Sequence, residues 1–234
     1  ALRKFSYGLF GRHRNRQPAG PVMRTPPDLT LYLVLDPVLC GGAEGMVQTA
    51  LQAAQAGATC VQLRAPDWST QALVDCGLKL KHVLSPYGVP LIVNNDVKAA
   101  EQIGASGVHV GQSDMDPRKA RALLGDDALI GLSITRYEEI GTLDPTVVDY
   151  AGVGPVYATS TKKDAAPAMG PDLLRRIVEK LSVPVVAIGG IGVTQARQMR
   201  RAGARGIAVV SAICGQRDVA LATRTLKSAF GQVS

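Results

Sequence analysis

Histidine and cysteine are scarce in this sequence and do not cluster, which excludes the commonest metal sites. The three histidines, His13, His82 and His109, are too scattered to build a metal centre. The four cysteines include no C-x-x-C pair and no group with histidine, which argues against zinc. Cys60 and Cys214 lie in or beside apolar runs, so we expect buried free thiols, as in a reducing compartment.

Aromatic residues and long apolar runs are also rare. Aromatics make up 4% of the chain, and no apolar run approaches the roughly 18 residues that cross a membrane. No signal-peptide pattern is present. Hydrophobic residues nonetheless reach 46%, so the core is predicted to be Ala, Val, Ile and Leu, which suits helices packed closely on a sheet. We expect a soluble, cytoplasmic protein with no membrane partner.

The net charge of +7 is concentrated at the N-terminus. Residues 1–28 hold six of the 26 basic residues and one of the 19 acidic ones, which leaves 20 and 18, a net of +2, for the rest. Basic arms can contact nucleic acid or acidic membranes, but this one lacks heptads, stacked aromatics and a helix-turn-helix pattern. We expect a flexible basic extension over 1–28 and one folded domain over 29–234, with no nucleic-acid partner.

Eight short apolar runs alternate with helical segments along this domain. Runs that are apolar on both faces are typical of strands buried in a parallel sheet. The predicted strands are Leu31–Asp36, Cys60–Arg64, Leu91–Asn94, Val108–Val110, Leu129–Ser133, Tyr150–Gly154, Val185–Ile188 and Ile207–Val210. A helical stretch follows each strand, the weakest near 138–143. Eight βα units in about 200 residues predict an α/β protein with a single (β/α)8 TIM barrel. A doubly wound open sheet is the alternative and requires one or two misassigned strands.

A repeated joint supports the serial arrangement of strands and helices. Three times a helix ends on glycine, a small residue turns the chain, and a short apolar strand begins, at Gly57, Gly104 and Gly203. Glycine is favoured there because it adopts the left-handed backbone conformation that ends helices. The repetition indicates a βα architecture throughout.

Polar residues are concentrated after the predicted strands rather than before them. In a (β/α)8 barrel the chemistry lies at the carboxyl ends of the strands, so this asymmetry predicts a site at that rim. The polar groups that follow strands two to eight are Gln62 and Arg64, Asn94 to Asp96, Gln112 to Asp114, Ser133, Thr159 to Asp164, Gly189-Gly190 and Ser211.

The segment after strand six carries three hydroxyls, two lysines and an aspartate within six residues, Thr159 to Asp164. Hydroxyl and ammonium groups with few acidic neighbours suit phosphate or diphosphate. A solvated lysine-bearing loop is the alternative. Gly189-Gly190, the helix from Thr194 and Ser211 resemble the phosphate cradle that barrels form after strands seven and eight.

Two further groups complete the predicted rim. Arg64 and Lys162 are candidates to grip a second anionic group, while Asp114 with Asn94 and Asn95 offers the hard oxygen ligands that Mg²⁺ prefers. Two anion sites and a metal suggest a phosphate-bearing acceptor and a diphosphate donor.

Each of these assignments has a simpler alternative. Gly189-Gly190 is also compatible with a tight turn, and Asp114 with a cap on the helix near Pro117. Arg64 has Asp67 nearby as a partner for an ion pair. His109 is equally compatible with a ligand contact and with a hydrogen-bonded core position.

Several motifs in order resemble the thiamine-phosphate synthase family over residues 30–230. They are Val61 to Arg64, Pro90 to Asn94, Gly107 to Gln112, Gly152 to Tyr157, Thr159 to Asp164, Ala187 to Ile191 and Val209 to Ile213. The resemblance implies a TIM barrel that joins hydroxymethylpyrimidine diphosphate to thiazole phosphate and releases pyrophosphate with Mg²⁺.

The resemblance also implies roles for individual residues. Lys162, Arg64 and Ser133 are the catalytic candidates. The pyrimidine diphosphate would be bound by Gln62, Arg64, Asn94, Lys162 and, at its ring, Ser133. The thiazole phosphate would be bound by Thr159, Thr161, Gly190, Val210 and Ser211. Asp114 and Asn95 would be metal ligands.

Two positions depart from the family's pattern. Pro66 stands where the family usually has a lysine, and Asn95 stands where it has a metal-binding aspartate. Asp96 would replace that aspartate only after a backbone shift. Asn95 slightly favours a thiazole tautomerase, which uses the same phosphate cradle without diphosphate or metal. A non-catalytic phosphate-ligand sensor is the other alternative, and the sequence is compatible with a monomer or a homo-oligomer.

Overall fold

The computed structural model describes residues 28–161 and 166–231, which form a closed barrel of eight parallel strands in chain order. The strands are β1 (Leu31–Leu35), β2 (Cys60–Leu63), β3 (Leu91–Asn94), β4 (Gly107–Val110), β5 (Leu129–Ile134), β6 (Tyr150–Val153), β7 (Val185–Ile188) and β8 (Gly206–Val209). The helices of this part are α1 (Pro37–Cys40), α2 (Ala43–Ala56), α3 (Thr70–Leu84), α4 (Val97–Ile103), α5 (Pro117–Leu124), α6 (Gly170–Lys180), α7 (Val193–Arg201) and α8 (Val219–Gly231).

The predicted (β/α)8 barrel is confirmed. Each predicted strand agrees with the observed one to within one residue at either end. β8 pairs with β1, with Leu31 opposite Ile207, so the sheet closes and the open-sheet alternative is wrong. The weak helical segment after strand five is a 3-10 helix, Tyr137–Thr142. The extension assigned to 1–28 lies outside the described residues apart from Asp28.

The strands are apolar on both faces because each face packs against a different layer. Alternate residues such as Leu31, Leu33 and Leu35 point outward and pack beneath the helices in the large core cluster. Their neighbours Tyr32 and Val34 point inward and form a smaller cluster inside the barrel. Inward positions near the carboxyl ends of the strands are therefore where polar side chains enter the barrel mouth.

Helix ends follow the local signals of the sequence. Ser69 caps α3 by accepting a hydrogen bond from Ala72 N at 3.3 Å. Gly57 and Gly104 end α2 and α4 with φ of 106° and 60°, as the repeated joint predicts. In the described part of the chain, no helix combines the length and apolar character needed to span a membrane.

Arg121 of α5 holds the amino ends of β5 and β6 together. Its guanidinium donates to Asp149 Oδ2 at 2.6 Å, and this carboxylate also accepts from Ile130 N at 2.7 Å. Arg121 also donates to the backbone carbonyls of Gly125, Asp126, Ala128 and Val147. The amino end of the barrel is thus fixed by a buried polar cluster, at the end opposite the carboxyl ends of the strands.

Candidate active site

A chain of hydrogen bonds runs through the barrel interior and joins two of the predicted site residues. Gln62 Nε2 on β2 donates to the Tyr32 hydroxyl at 2.8 Å, and the Tyr32 and Tyr150 hydroxyls lie 2.9 Å apart. The Tyr150 hydroxyl is 3.1 Å from His109 Nδ1, and His109 Nε2 is 2.9 Å from Ser133 Oγ. Gln62 and Ser133 are therefore the two ends of one network that crosses the barrel from β2 to β5.

Burial fixes the protonation states in this network. It lowers the pKa of His109 to about 4, so the imidazole is neutral at pH 7. It also raises the pKa of both tyrosines well above its usual value of about 10. All three side chains are neutral, and His109 is not poised as a general base because both ring nitrogens are already hydrogen-bonded.

Two glycines make room for the histidine and tyrosine rings. A Cβ at Gly131 would lie 2.2 Å from Tyr150 Cζ and 2.4 Å from His109 Nδ1. A Cβ at Gly152 would lie 2.9 Å from His109 Cε1. These glycines sit opposite the network in the strand register, with His109 paired to Gly131 and Ser133 to Gly152. The lack of side chains at both positions is what allows the network to form.

The site also depends on close packing between the loops after β6 and β7. Val156 N donates to Ile188 O at 2.9 Å, and Tyr157 N donates to Gly189 O at 3.0 Å. Gly189 and Gly190 have φ of 97° and 63°, and a Cβ on Gly190 would lie 2.6 Å from Ala158 O. The chain therefore bends sharply at Gly189-Gly190, as the simpler alternative predicted. Glycine is required there because the backbone φ angles are positive and because the loop after β6 approaches closely.

This pair of loops presents polar groups at the rim. Thr161 N donates to Thr159 Oγ1 at 3.2 Å, so the two threonines are held together. Gly190 and Ser211 are exposed, and their N–H groups make no hydrogen bond to any other described residue. Val210 beside Ser211 is half-buried. Lys162, the predicted catalytic lysine, lies outside the described residues.

Arg64 is half-buried at the rim after β2. Within residues 28–161 and 166–231 it forms no ion pair, so the predicted alternative of a pair with Asp67 is wrong. Its charge is available to an anionic ligand.

The predicted metal corner lies after β3 and β4, which are adjacent in the barrel. Asn94 is opposite His109 in the register, and Asn95 N donates to His109 O at 2.9 Å. Asn95 is exposed and adopts a left-handed backbone with φ of 62°. Asp114 is exposed, and its Oδ2 accepts from Gly111 N at 2.7 Å. The corner thus offers one carboxylate and two amide side chains.

The neighbouring acids at this corner have structural roles. Asp96 caps α4 by accepting from Ala99 N at 2.8 Å, and its Oδ2 accepts from Thr70 Oγ1 at 2.7 Å. Asp116 caps α5, so the alternative that Asp114 is the cap is wrong. Over the described parts of the chain no three His, Cys, Asp or Glu side chains come together as a metal-binding group.

The sequence reasoning missed Tyr32 and Tyr150 and left His109 undecided. Tyr32 lies within a strand of otherwise aliphatic residues, and Tyr150 begins another; both face the barrel interior. The pairing of the strands is needed to see that the two side chains meet. Tyr32 shares its face of β1 with Val34, and Val34 lies opposite Gln62 on β2. The network joins residues of five different strands, so the sequence of any single strand does not reveal it.

A closed barrel with glycine-backed loops and Arg64 at the carboxyl ends of its strands is typical of (β/α)8-barrel enzymes that bind phosphate ligands. A family model described as thiamine monophosphate synthase matches residues 31–213. The chain belongs to this family. The resemblance stated from the motifs is confirmed, and with it the prediction of a transferase that forms thiamine phosphate.

Individual relatives agree with this assignment over most of their length. The thiamine-phosphate synthase of Azorhizobium caulinodans is 45% identical over 206 residues, which covers 88% of this chain and 97% of that protein. That of Xanthobacter autotrophicus is 46% identical over 207 residues, with 88% and 98% covered. The solved structure of a thiamine phosphate pyrophosphorylase from Pyrococcus furiosus matches with a TM-score of 0.79 at 33% identity, covering 87% of this chain and 96% of that one.

Proposed function

We propose that the barrel rim joins 4-amino-2-methyl-5-hydroxymethylpyrimidine diphosphate to thiazole phosphate, giving thiamine phosphate and pyrophosphate. Family membership carries the reaction class. The hydrogen-bond chain between Gln62 and Ser133 is the observation that most supports the substrate, because it places neutral polar groups for a heterocycle inside a mouth lined with phosphate-binding candidates.

The reaction exchanges a carbon–oxygen bond for a carbon–nitrogen bond. The electron-rich aminopyrimidine can expel pyrophosphate from its exocyclic CH₂ group, which leaves a stabilised cation that the thiazole nitrogen traps. No strong base is needed, and this agrees with a neutral His109 whose two nitrogens are occupied. The protein's task is to stabilise the leaving group and hold the nucleophile in line.

The diphosphate end of the donor is assigned to Arg64, Lys162 and Asn94, and its ring to Gln62 and Ser133. Arg64 has no competing ion pair among the described residues, so its guanidinium is free to bind diphosphate oxygens. Ser133 lies half-buried near the end of β5, where its hydroxyl joins the hydrogen-bond network inside the barrel. This depth suits a ring that is shielded from water.

The acceptor's phosphate is assigned to the loops after β6, β7 and β8. Thr159 and Thr161 are already joined by a hydrogen bond, and Gly190 and Ser211 have N–H groups without a partner in the described part of the chain. Backbone N–H groups at such turns favour an anion. Val210 adds contact next to Ser211.

We assign Mg²⁺ to Asp114 and Asn95, which follow the adjacent strands β4 and β3. One carboxylate with amide oxygens is a weak set by itself, but Mg²⁺ is commonly held by one or two carboxylates together with substrate phosphate oxygens. When bound, Mg²⁺ would neutralise charge on the departing pyrophosphate. Asp96 is committed to α4 and Thr70, so we do not assign it as a ligand.

We place the reaction in the cytoplasm. The four cysteines lie in the described part of the chain and are free thiols, as expected where disulfides do not form. The substrates are also charged phosphate compounds of the kind that do not cross membranes unaided.

Calorimetry with the two substrates tests this proposal against its alternatives. We expect the pyrimidine diphosphate to bind much more tightly with Mg²⁺ than with EDTA, and Asp114→Ala to remove that dependence. Asp116→Ala is the matched control, because this neighbouring acid caps α5. Metal-indifferent binding of thiazole phosphate alone would instead support a tautomerase, and binding of both ligands without turnover would support a sensor.

A further inference from the structure

In the network from Gln62 to Ser133, each group donates to the next one. This order determines whether the Ser133 hydroxyl donates to its ligand or accepts from it. We propose that Tyr32, Tyr150 and His109 are positioning residues, oriented by Gln62, that turn the hydroxyl hydrogen of Ser133 toward the substrate. The inference rests on the proposed contact between Ser133 and the pyrimidine, and it extends that contact to residues that do not touch substrate.

The direction begins at Gln62, because an amide nitrogen can only donate. Gln62 Nε2 lies 2.8 Å from the Tyr32 hydroxyl, so Tyr32 accepts there and its single hydroxyl hydrogen is left for Tyr150, 2.9 Å away. Tyr150 then accepts from Tyr32, and its own hydrogen goes to His109 Nδ1 at 3.1 Å. Each tyrosine hydroxyl thus accepts a hydrogen bond from the residue before it and donates one to the residue after it.

At His109 the direction selects one tautomer. Nδ1 accepts from Tyr150, so a neutral ring must carry its hydrogen on Nε2 and donate it to Ser133 Oγ at 2.9 Å. A charged ring would have no acceptor nitrogen for Tyr150, so the contact at Nδ1 requires the neutral ring. Ser133 Oγ therefore accepts from within the protein and keeps its own hydrogen for an outside acceptor.

The two ends of the network are complementary in polarity. Gln62 Oε1 makes no hydrogen bond to another described residue, so this end presents an acceptor. Ser133 presents a donor at the other end. A ring nitrogen of a pyrimidine can accept from Ser133, while an exocyclic amino group can donate to a carbonyl oxygen such as that of Gln62. The network thus favours ligands that offer an acceptor to Ser133, because one of the two hydroxyl lone pairs is already used by His109 while the hydroxyl hydrogen is free.

Nitrogen-15 NMR of histidine-labelled protein tests the direction without any substrate. The sequence has three histidines, so the His109 signals are assigned as those that disappear in the His109→Gln variant. We expect His109 in the ligand-free protein at pH 7 to be the Nε2–H tautomer. A predominant Nδ1–H tautomer, or an imidazolium ring, would overturn the proposal.

Gln62→Glu tests whether Gln62 sets the direction. A protonated carboxyl still donates to Tyr32, whereas the carboxylate can only accept, which reverses every hydrogen bond along the chain. We expect His109 of this variant to change from the Nε2–H to the Nδ1–H tautomer as pH rises through the carboxyl pKa, between about pH 5 and 9 for a buried group. An unchanged tautomer at pH 9 would contradict the assigned direction.

Tyr150→Phe tests the consequence for turnover. A Ser133 hydroxyl that samples three staggered rotamers points correctly about a third of the time, and its hydrogen bond weakens, so we expect kcat to fall about three- to tenfold with KM within about twofold. Tyr87→Phe is the control, because Tyr87 is 44% exposed and its hydroxyl accepts from Gln55, outside the network. Equal kcat for both variants would overturn the proposal.

The two measurements separate this proposal from the proposed function. If the wild-type protein forms no thiamine phosphate, the proposed function fails, while the NMR result still decides the direction of the network. If it forms thiamine phosphate but His109 carries the wrong tautomer, this proposal alone fails. If Tyr150→Phe does not fold, Tyr32→Phe interrupts the same hydrogen-bond network at a second position.

Discussion

Arg121 and Asp149 form an ion pair in which each side chain is only 9% exposed, with 2.6 Å between Nη2 and Oδ2. Arg121→Met should lower the free energy of unfolding by about 3–5 kcal/mol, because it removes a charge partner and the bonds to four carbonyls from a buried cluster. Urea unfolding measures this. Arg118→Met is the matched control: Arg118 pairs with Asp144 at the same distance but is 69% exposed, so the loss should be within about 1 kcal/mol. Equal losses would contradict the role of burial.

Gly131 leaves the space that the rings of Tyr150 and His109 occupy, so a side chain at this position should disturb both rings. Gly131→Ala places a Cβ against Tyr150 and His109 and should cost about 1–3 kcal/mol of stability by overpacking. The displaced side chains should also lose the hydrogen bond between the Tyr150 hydroxyl and His109 Nδ1, and kcat should fall. Gly141→Ala is the control, since no atom lies within 4 Å of a Cβ at that position. Thermal unfolding and turnover of both variants check this, and a harmless Gly131→Ala would mean that the rings are not tightly held.

His109 predicts how stability depends on pH. Its pKa is about 4 in the folded protein and about 6.5 in the unfolded chain, so the unfolded state takes up the proton first as pH falls. The free energy of unfolding should therefore decrease between about pH 6.5 and 4, with a contribution of about 3 kcal/mol from this residue, and flatten below that range. Urea unfolding across the range should show a shallower slope for His109→Gln, while exposed His82→Gln should match the wild type. A wild-type slope in His109→Gln would rule out the buried imidazole as the cause.

Much of the fold could be predicted because its signals are local. The eight strands are short apolar runs, and glycines such as Gly57 and Gly104 supply the left-handed ends of helices. Ser69 is a cap whose side chain bonds three residues ahead. Such features depend on a few neighbouring residues, so a reading of the sequence finds them.

The parts that could not be predicted depend on contacts between distant residues. Tyr32 and Tyr150 are 118 positions apart and meet only when the barrel closes. The capping roles of Asp96 and Asp116, and the absence of one for Asp114, depend on loop geometry that the spacing of acids does not determine. Arg121 reads as one more surface arginine on a polar helix until the fold buries it.

Lys162 carries the clearest prediction for catalysis. If its ammonium group stabilises the departing pyrophosphate, Lys162→Ala should raise the barrier by about 2–4 kcal/mol, as for loss of one preorganised electrostatic donor. That corresponds to a fall in kcat of roughly 30- to 1,000-fold. Lys163→Ala is the matched control in the same loop and should change kcat only slightly. Near-normal turnover of Lys162→Ala would show that the lysine assignment is wrong.

Synthase activity is measured as thiamine phosphate formed from the two substrates while Mg²⁺ is titrated. We expect equal amounts of thiamine phosphate and pyrophosphate, with activity that rises as Mg²⁺ is added and is abolished by EDTA. Because the metal corner has one carboxylate, Asn95→Asp should lower the Mg²⁺ concentration needed for half-maximal activity. No product from the two substrates at any Mg²⁺ concentration, or product formation that EDTA leaves unchanged, would contradict the account.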